Sequence, residues 1–158
     1  MSALEIPGVG EKLGVPYVKA FTFGGSSDAD VHLSSTQLGT AGGVVPLINI
    51  NESGIYIEAL DVQVAAKLTT STGTFTIGDS DDADGFWTDT LLVGTTTSAS
   101  FNKMASTVGY GAGKVYTSSH IINVTKAGAA ASTISAASLV KCKVKYIRGC
   151  DTDLNPNT

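Results

Sequence analysis

Residues 139–147, Leu-Val-Lys-Cys-Lys-Val-Lys-Tyr-Ile, alternate apolar and cationic side chains almost without a break. Successive side chains of a strand point to opposite faces. Val140, Cys142, Val144 and Tyr146 therefore share one face, and Lys141, Lys143 and Lys145 share the other. The pattern predicts a half-buried strand of an antiparallel sheet, dry on one side and wet on the other. Residues 55–68 repeat the idea with a change of parity. Ile55 and Ile57 fall on one parity, Leu60, Val62 and Val64 on the other. A switch of this kind predicts a β-bulge near Glu58 and Ala59, or a strand that crosses between sheets. Glu58, Ala59, Leu60, Ala65, Ala66 and Lys67 are helix formers, but Gly54 ahead of the run and Thr69, Thr70 and Thr72 behind it favour a strand.

Shorter runs of the same kind recur. Strands are expected around Val31, His32 and Leu33, over residues 44–50 with Pro46 at an edge, and over residues 74–77 with Phe75 and Ile77 inward. Further strands are expected over residues 91–93, at Val115 and Tyr116, and over residues 121–125. The stretches between them are rich in Gly, Ser, Thr and Ala. That of residues 94–114 has Phe101, Met104, Val108 and Tyr110 as its anchors, and residues 127–133 read as a loop or tight turn. Many short strands with frequent turn signals and no amphipathic helix predict an all-β antiparallel sandwich, jelly-roll-like in outline.

The chain divides into an extended N-terminal arm (residues 1–23), the sandwich (24–150) and a polar tail (151–158). Pro7, Gly8, Gly10, Gly14 and Pro16 interrupt the arm, which still carries Leu4, Ile6, Val9, Leu13, Val15, Tyr17 and Val18. Spaced apolar anchors on a segment with no regular element of its own suit an arm that contacts a partner.

Composition narrows the classes of function. Of 158 residues, 15 % are charged and 42 % apolar, with a net charge of −4. The charged share is below the roughly 25 % of ordinary soluble domains, so the surface is small, neutral and poorly defended against association. Nucleic-acid binding needs a stronger basic footprint than three lysines along one strand. No apolar run approaches the ~18 residues of a bilayer span. The first residues lack a basic region followed by an apolar stretch, which predicts synthesis in the cytoplasm without a secretory signal. Cys142 and Cys150 are then expected as free thiols.

The densest chemistry lies in residues 78–85, where Asp79, Asp81, Asp82 and Asp84 crowd together. Clustered oxygen ligands suit a hard cation such as calcium. The spacing misses the EF-hand pattern, with Ala83 at the fifth ligand position. A hydrogen-bonded turn that binds calcium weakly or not at all is the expectation. Phe86 and Trp87 beside it read as pins to the core edge, or as a platform for a sugar. Gly78-Asp79-Ser80 resembles an esterase nucleophile block, but only His32 and His120 are available as a base. Residues 109–114, GYGAGK, lack the spacing and the following helix of a phosphate loop. No catalytic residue and no cofactor is expected.

The succession of the 55–64 strand, the segment GTFTIGDSDDADGF over residues 73–86, the apolar runs at 91–93 and 121–124, and the closing strand at 140–147 resembles small structural proteins of tailed-bacteriophage head modules. These are capsid decoration, or cement, proteins and head-fibre modules. The resemblance covers residues 55–147. It implies a β-sandwich, often jelly-roll-like, that binds the outside of an icosahedral capsid. The implied partners are the major capsid protein and sister copies, a trimer in preference to a dimer, with no nucleic acid and no membrane. The implied place is the capsid exterior of a virion made in a bacterial host's cytoplasm. The alternative is a tail or fibre module that recognises a host surface glycan through Trp87, Phe86 and the acidic loop.

Overall fold

The computed structural model describes residues 3–25, 28–33, 43–66, 74–88, 109–127 and 139–150. They form ten strands: β1 (Leu4–Ile6), β2 (Pro16–Gly24), β3 (Val31–His32), β4 (Val44–Ile50), β5 (Ile55–Ala66), β6 (Thr74–Gly78), β7 (Trp87–Thr88), β8 (Lys114–Tyr116), β9 (His120–Ala127) and β10 (Leu139–Arg148). No described residue is helical. Two five-stranded sheets result, ordered β1-β4-β9-β6-β7 and β3-β2-β10-β5-β8. Pairing is antiparallel except at β1·β4 and β2·β3, which are parallel, so both sheets are mixed.

The alternating strand behaves as its pattern dictates. β10 lies between β2 and β5, and Val140, Cys142, Val144 and Tyr146 are fully buried while Lys141 is exposed. The apolar face meets Ile48, Ile50, Ile122, Val124 and Ile77 of the other sheet in one core. The parity switch in β5 is a β-bulge: Lys145 opposes Ala59 and Tyr146 opposes Ile57, which leaves Glu58 as the extra residue. One inserted residue lets Ile55 and Ile57 before it and Leu60 and Val62 after it all point inward. A second irregularity lies in β4, where Pro46 opposes Asn123 and Ile48 opposes Ile122. β1 reaches only Ile48 to Ile50, so Pro46 lies where β4 has an open side and its missing N–H is not needed.

The N-terminal stretch departs from expectation. Residues 1–23 were to form an extended arm, yet they supply β1 and nearly all of β2. Ile6, Phe21 and Phe23 are core residues, and β2 pairs with β10 from Pro16 to Gly24. Tyr17 and Tyr146 pack ring to ring at 5.9 Å. The boundary at residue 23 therefore falls inside a strand. The reason is local: β2 alternates Tyr17, Lys19, Phe21 and Phe23 on its inner side, and that alternation outweighs the prolines and glycines before it. What remains of the arm is the loop of residues 7–15. The expected strand at 91–93, the anchors Phe101, Met104 and Val108, the side chain of Phe75, the turn at 128–133 and the tail 151–158 lie outside the described residues.

Candidate functional site

The acidic loop follows β6, and its first carboxylate turns inward. Asp79 is the one buried charged residue among the described core. Its Oδ1 accepts hydrogen bonds from the Tyr110 hydroxyl (2.9 Å) and from the backbone N–H groups of Asp81 (3.0 Å) and Asp82 (3.2 Å). Its Oδ2 accepts from the Tyr116 hydroxyl (2.6 Å) and from Lys114 Nζ (2.8 Å). Burial would raise its pKa, but the bonds from Lys114, Tyr116 and Tyr110 outweigh burial and leave it lowered. Burial, with the neighbouring carboxylate, pushes the Tyr110 hydroxyl up to about 12 and Tyr116 higher still. Lys114 also donates to Asp81 at 2.8 Å and lies over the Tyr110 ring, 4.2 Å from its centroid.

The turn fits only with glycine at two places. A Cβ on Gly78 would overlap the Asp82 carbonyl, and one on Gly85 would overlap the Tyr110 ring. The Asp79-Asp82 segment closes with Asp79 N–H donating to the Asp82 carbonyl at 2.9 Å. Asp81 and Asp84 face solvent and Asp82 is half-buried. The Asp84 carboxyl hydrogen-bonded to Asp82 raises the Asp82 pKa, with burial adding to it.

This geometry separates the four candidate metal ligands. Both Asp79 oxygens already face donors, which leaves that carboxylate without a lone pair for a cation. No group of three or more His, Cys, Asp or Glu residues among the described ones converges as a metal site would. Sequence reading missed Lys114, Tyr110 and Tyr116 as partners of Asp79. The usable signal was the spacing of two tyrosines around one lysine in the strand-turn segment 110–116, opposite a loop rich in aspartate.

Phe86 is fully buried and Trp87 nearly so, and Trp87 Nε1 donates to the Leu60 carbonyl at 3.0 Å. Neither ring offers a face for a sugar. His120 lies 3.7 Å from Asp81 and 3.4 Å from the Ser118 hydroxyl. Both distances are too long for an activated nucleophile. The fourth group of interest, His32, contacts the Gly25 carbonyl at 3.1 Å.

The residues expected to touch a partner divide into two sets. Ile6 is core, and Leu4 and Tyr17 pack against it. Val9 (109 % exposed), Leu13 (68 %), Val15 and Val18 (61 %) are on the surface. Their loop is pinned. Glu11 takes a hydrogen bond from the Tyr146 hydroxyl at 2.6 Å and pairs with Lys19 at 2.9 Å. Arg148 donates to the Glu11 carbonyl and pairs with Glu52 at 2.6 Å. Gly14 N–H donates to the Arg148 carbonyl at 2.8 Å, and Lys12 N–H to the Tyr17 hydroxyl at 2.6 Å. Glycines at positive φ (Gly10 at 80°, Gly14 at 71°) turn the backbone. The loop is thus held by its polar groups while its apolar tips project outward.

No protein-family model matches the chain, and no curated protein matches its sequence. Solved structures do share its fold. A chain of the acidic stable capsid structure of Helicobacter pylori bacteriophage KHP30 superposes with a TM-score of 0.54 at 17 % identity, over 86 % of this chain and 90 % of that one. A chain of the cyanophage Pam1 capsid asymmetric unit gives 0.57 at 16 % identity, over 85 % of each chain. A chain of the capsid of Ralstonia phage GP4 gives 0.58 at 12 % identity, over 91 % of each. The two-sheet architecture is therefore one that recurs, with divergent sequences, in chains of phage capsid structures.

Proposed function

We propose that this chain is a non-enzymatic structural protein of a tailed-phage virion: a decoration, or cement, protein on the outside of the capsid. It binds the major capsid protein and stabilises the shell. It acts as a homo-oligomer, a trimer ahead of a dimer, and is made in the cytoplasm of a bacterial host. No catalytic residue, cofactor, nucleic acid or membrane enters the reading, and its sandwich is jelly-roll-like. The observation that carries it is the near end-to-end match in fold with chains of three phage capsid structures, at 85–91 % coverage of both partners. The low charge and the surface apolar residues of the 7–15 loop support it, because such a surface suits a chain packed among others. A glycan-binding fibre module finds no support, since Trp87 and Phe86 are buried.

The test is mass spectrometry and electron microscopy of purified, nuclease-treated particles. The chain is expected in many copies per particle, as closed symmetry implies, with its density on the outer capsid surface. Recovery only from the particle-free lysate overturns the reading, and density at the tail overturns its capsid placement.

A further inference from the structure

β2 is the second strand of its sheet, yet β3 covers it only at Phe23 and Gly24. From Pro16 to Thr22 its outer side is an open edge among the described residues. Which residues face that side follows from the bonds at its end. The Gly24 carbonyl accepts from Leu33 N–H at 2.8 Å, and Thr22 N–H donates to the Asp30 carboxylate at 2.7 Å. Both bonds lie on the β3 side. The N–H and C=O of one strand residue point the same way, and the direction alternates along the strand. Val18 and Ala20 therefore direct their main-chain groups to the open side, whereas Tyr17, Lys19 and Phe21 face β10. No described residue donates to or accepts from the main chain of Val18 or Ala20 on that side.

Open edges are usually guarded by charge, by proline or by brevity. β4 holds Pro46 on its uncovered stretch, and β1, β3, β7 and β8 have only two or three residues each. The side chains of β2 guard little. Val18 is 61 % exposed, and Ala20 is exposed as well. The charge between them, Lys19, turns into the fold, where its Nζ pairs with Glu11 at 2.9 Å and donates to the Glu5 carbonyl at 3.3 Å. The free stretch also has definite ends. Pro16 has no N–H, and that of Thr22 is taken by Asp30. What remains is the N–H and C=O of two residues, two positions apart.

That set is complementary to itself. When two copies of β2 run antiparallel about a two-fold axis at Lys19, Val18 stands opposite Ala20 of the second copy, and Ala20 opposite its Val18. Each such pair exchanges both N–H···O bonds, so every free donor of the two strands finds an acceptor. A register centred on Val18 sets Ala20 against Pro16, and one centred on Ala20 sets Val18 against Thr22; both lose bonds. Two lysines meet at the axis, but each is neutralised by Glu11 of its own chain. On the outer face Val18 meets Ala20, apolar on apolar. We infer that a second copy of this chain pairs along β2 in this register, joining the two β3-β2-β10-β5-β8 sheets into one continuous sheet through an isologous contact. The inference rests on the homo-oligomer of the function proposed above and gives it the two-fold form.

The experiment is sedimentation velocity on the full chain and on Ala20→Pro. Proline removes the outward N–H of Ala20 and takes no bond from β10; circular dichroism and melting report whether the fold is kept. Wild type is expected as a dimer and Ala20→Pro as a monomer, its dissociation constant raised more than about tenfold. A second measurement reads the register. Val18→Cys and Ala20→Cys are made in a Cys150→Ser background and oxidised, alone and mixed. Opposed residues of this register lie about 5.5 Å apart at Cα, within reach of a disulfide, and like residues lie beyond it. The mixture is expected to cross-link, and neither variant alone. A wild type that is a monomer or a trimer overturns the inference, as does a folded Ala20→Pro that still dimerises. So does cross-linking of either cysteine variant with itself, or none in the mixture; this measurement decides where proline disturbs the fold. Particle attachment is read separately. Particles that carry the chain as separate monomers overturn this inference and leave the proposed function standing; a β2-paired dimer that never associates with particles does the reverse.

Discussion

The loop at residues 79–85 contains four carboxylates and turns one of them, Asp79, into the interior, where two tyrosines and a lysine close around it. The loop at residues 7–15 contains one carboxylate, Glu11, and three apolar residues, Val9, Leu13 and Val15, which it sends outward while Glu11 ties it down. Composition alone suggests the opposite roles: a polar loop for binding and an apolar segment for packing. The inversion has a physical cause. A buried carboxylate is tolerable only when donors surround it, and the acidic loop supplies two of its own N–H groups while β8 and the turn before it supply the rest. An apolar side chain on a glycine-broken loop has no strand alternation to aim it at the core, so the polar ties decide which way it faces.

The largest effect that separates the two regions is loss of the inward carboxylate. Asp79→Ala leaves the buried Tyr110 and Tyr116 hydroxyls without their shared acceptor and the half-buried Lys114 with only the exposed Asp81 as a carboxylate partner. Removing one partner of a buried charge pair costs about 3–5 kcal/mol, a large part of the ~5–15 kcal/mol that holds a domain folded. Urea unfolding should show a loss on that scale. A loss below about 1 kcal/mol would mean that the network is incidental and the loop is held by its backbone alone. Glu11→Gln is the matching change in the other loop. It removes the charge that pairs with Lys19 but keeps an acceptor for Tyr146, so a cost of about 1–2 kcal/mol is expected. If the two substitutions cost the same, the contrast between an interior network and a surface tie fails.

Acid sharpens the contrast further. Asp79 and Glu11 both have pKa values below their ordinary ones in the folded chain. A lowered folded-state pKa contributes stability that is present above the unfolded value and lost as pH falls through the folded value. The melting temperature should therefore decline below about pH 5. Asp82 has a raised pKa, chiefly from its side-chain hydrogen bond with Asp84 and then from burial, and works in the opposite sense: the folded chain favours its protonated form, which offsets a little of the decline. Asp82→Asn should remove that offset and raise stability slightly at neutral pH. A wild-type melting temperature that is flat from neutral pH to pH 3 would contradict the lowered values.

Much of the fold was legible from alternation. β10, the bulge at Glu58 in β5 and the core of β9 all follow from which parity carries the apolar residues. β1 and β7, at three and two residues, are too short to show a period. β2 was masked by Pro16 and the glycines before it, although Tyr17, Phe21 and Phe23 carry its parity. The site was less legible, because its partners are remote in sequence: Asp79 meets residues 31 to 37 positions away. Nothing local to the acidic loop says that a lysine and two hydroxyls will arrive there.

The smallest expected effect is that of calcium, and it bears directly on what the acidic loop is for. Asp79 has both oxygens engaged by five donors. Asp81 already pairs with Lys114, a cation that would repel a second one. Asp82 and Asp84 remain, and two carboxylates are a poor cage for an ion that takes six to eight oxygens. A ligand present at about 1,000 times its dissociation constant stabilises the fold by about 4 kcal/mol. Millimolar calcium would thus raise the melting temperature plainly if the loop bound it with micromolar affinity. No shift is expected, either on adding calcium or on removing it with a chelator. A clear rise would require Lys114 to leave Asp81 and Asp79 to expose an oxygen. The loop would then be a ligand site, as its composition suggests, and its contrast with the 7–15 loop would no longer stand.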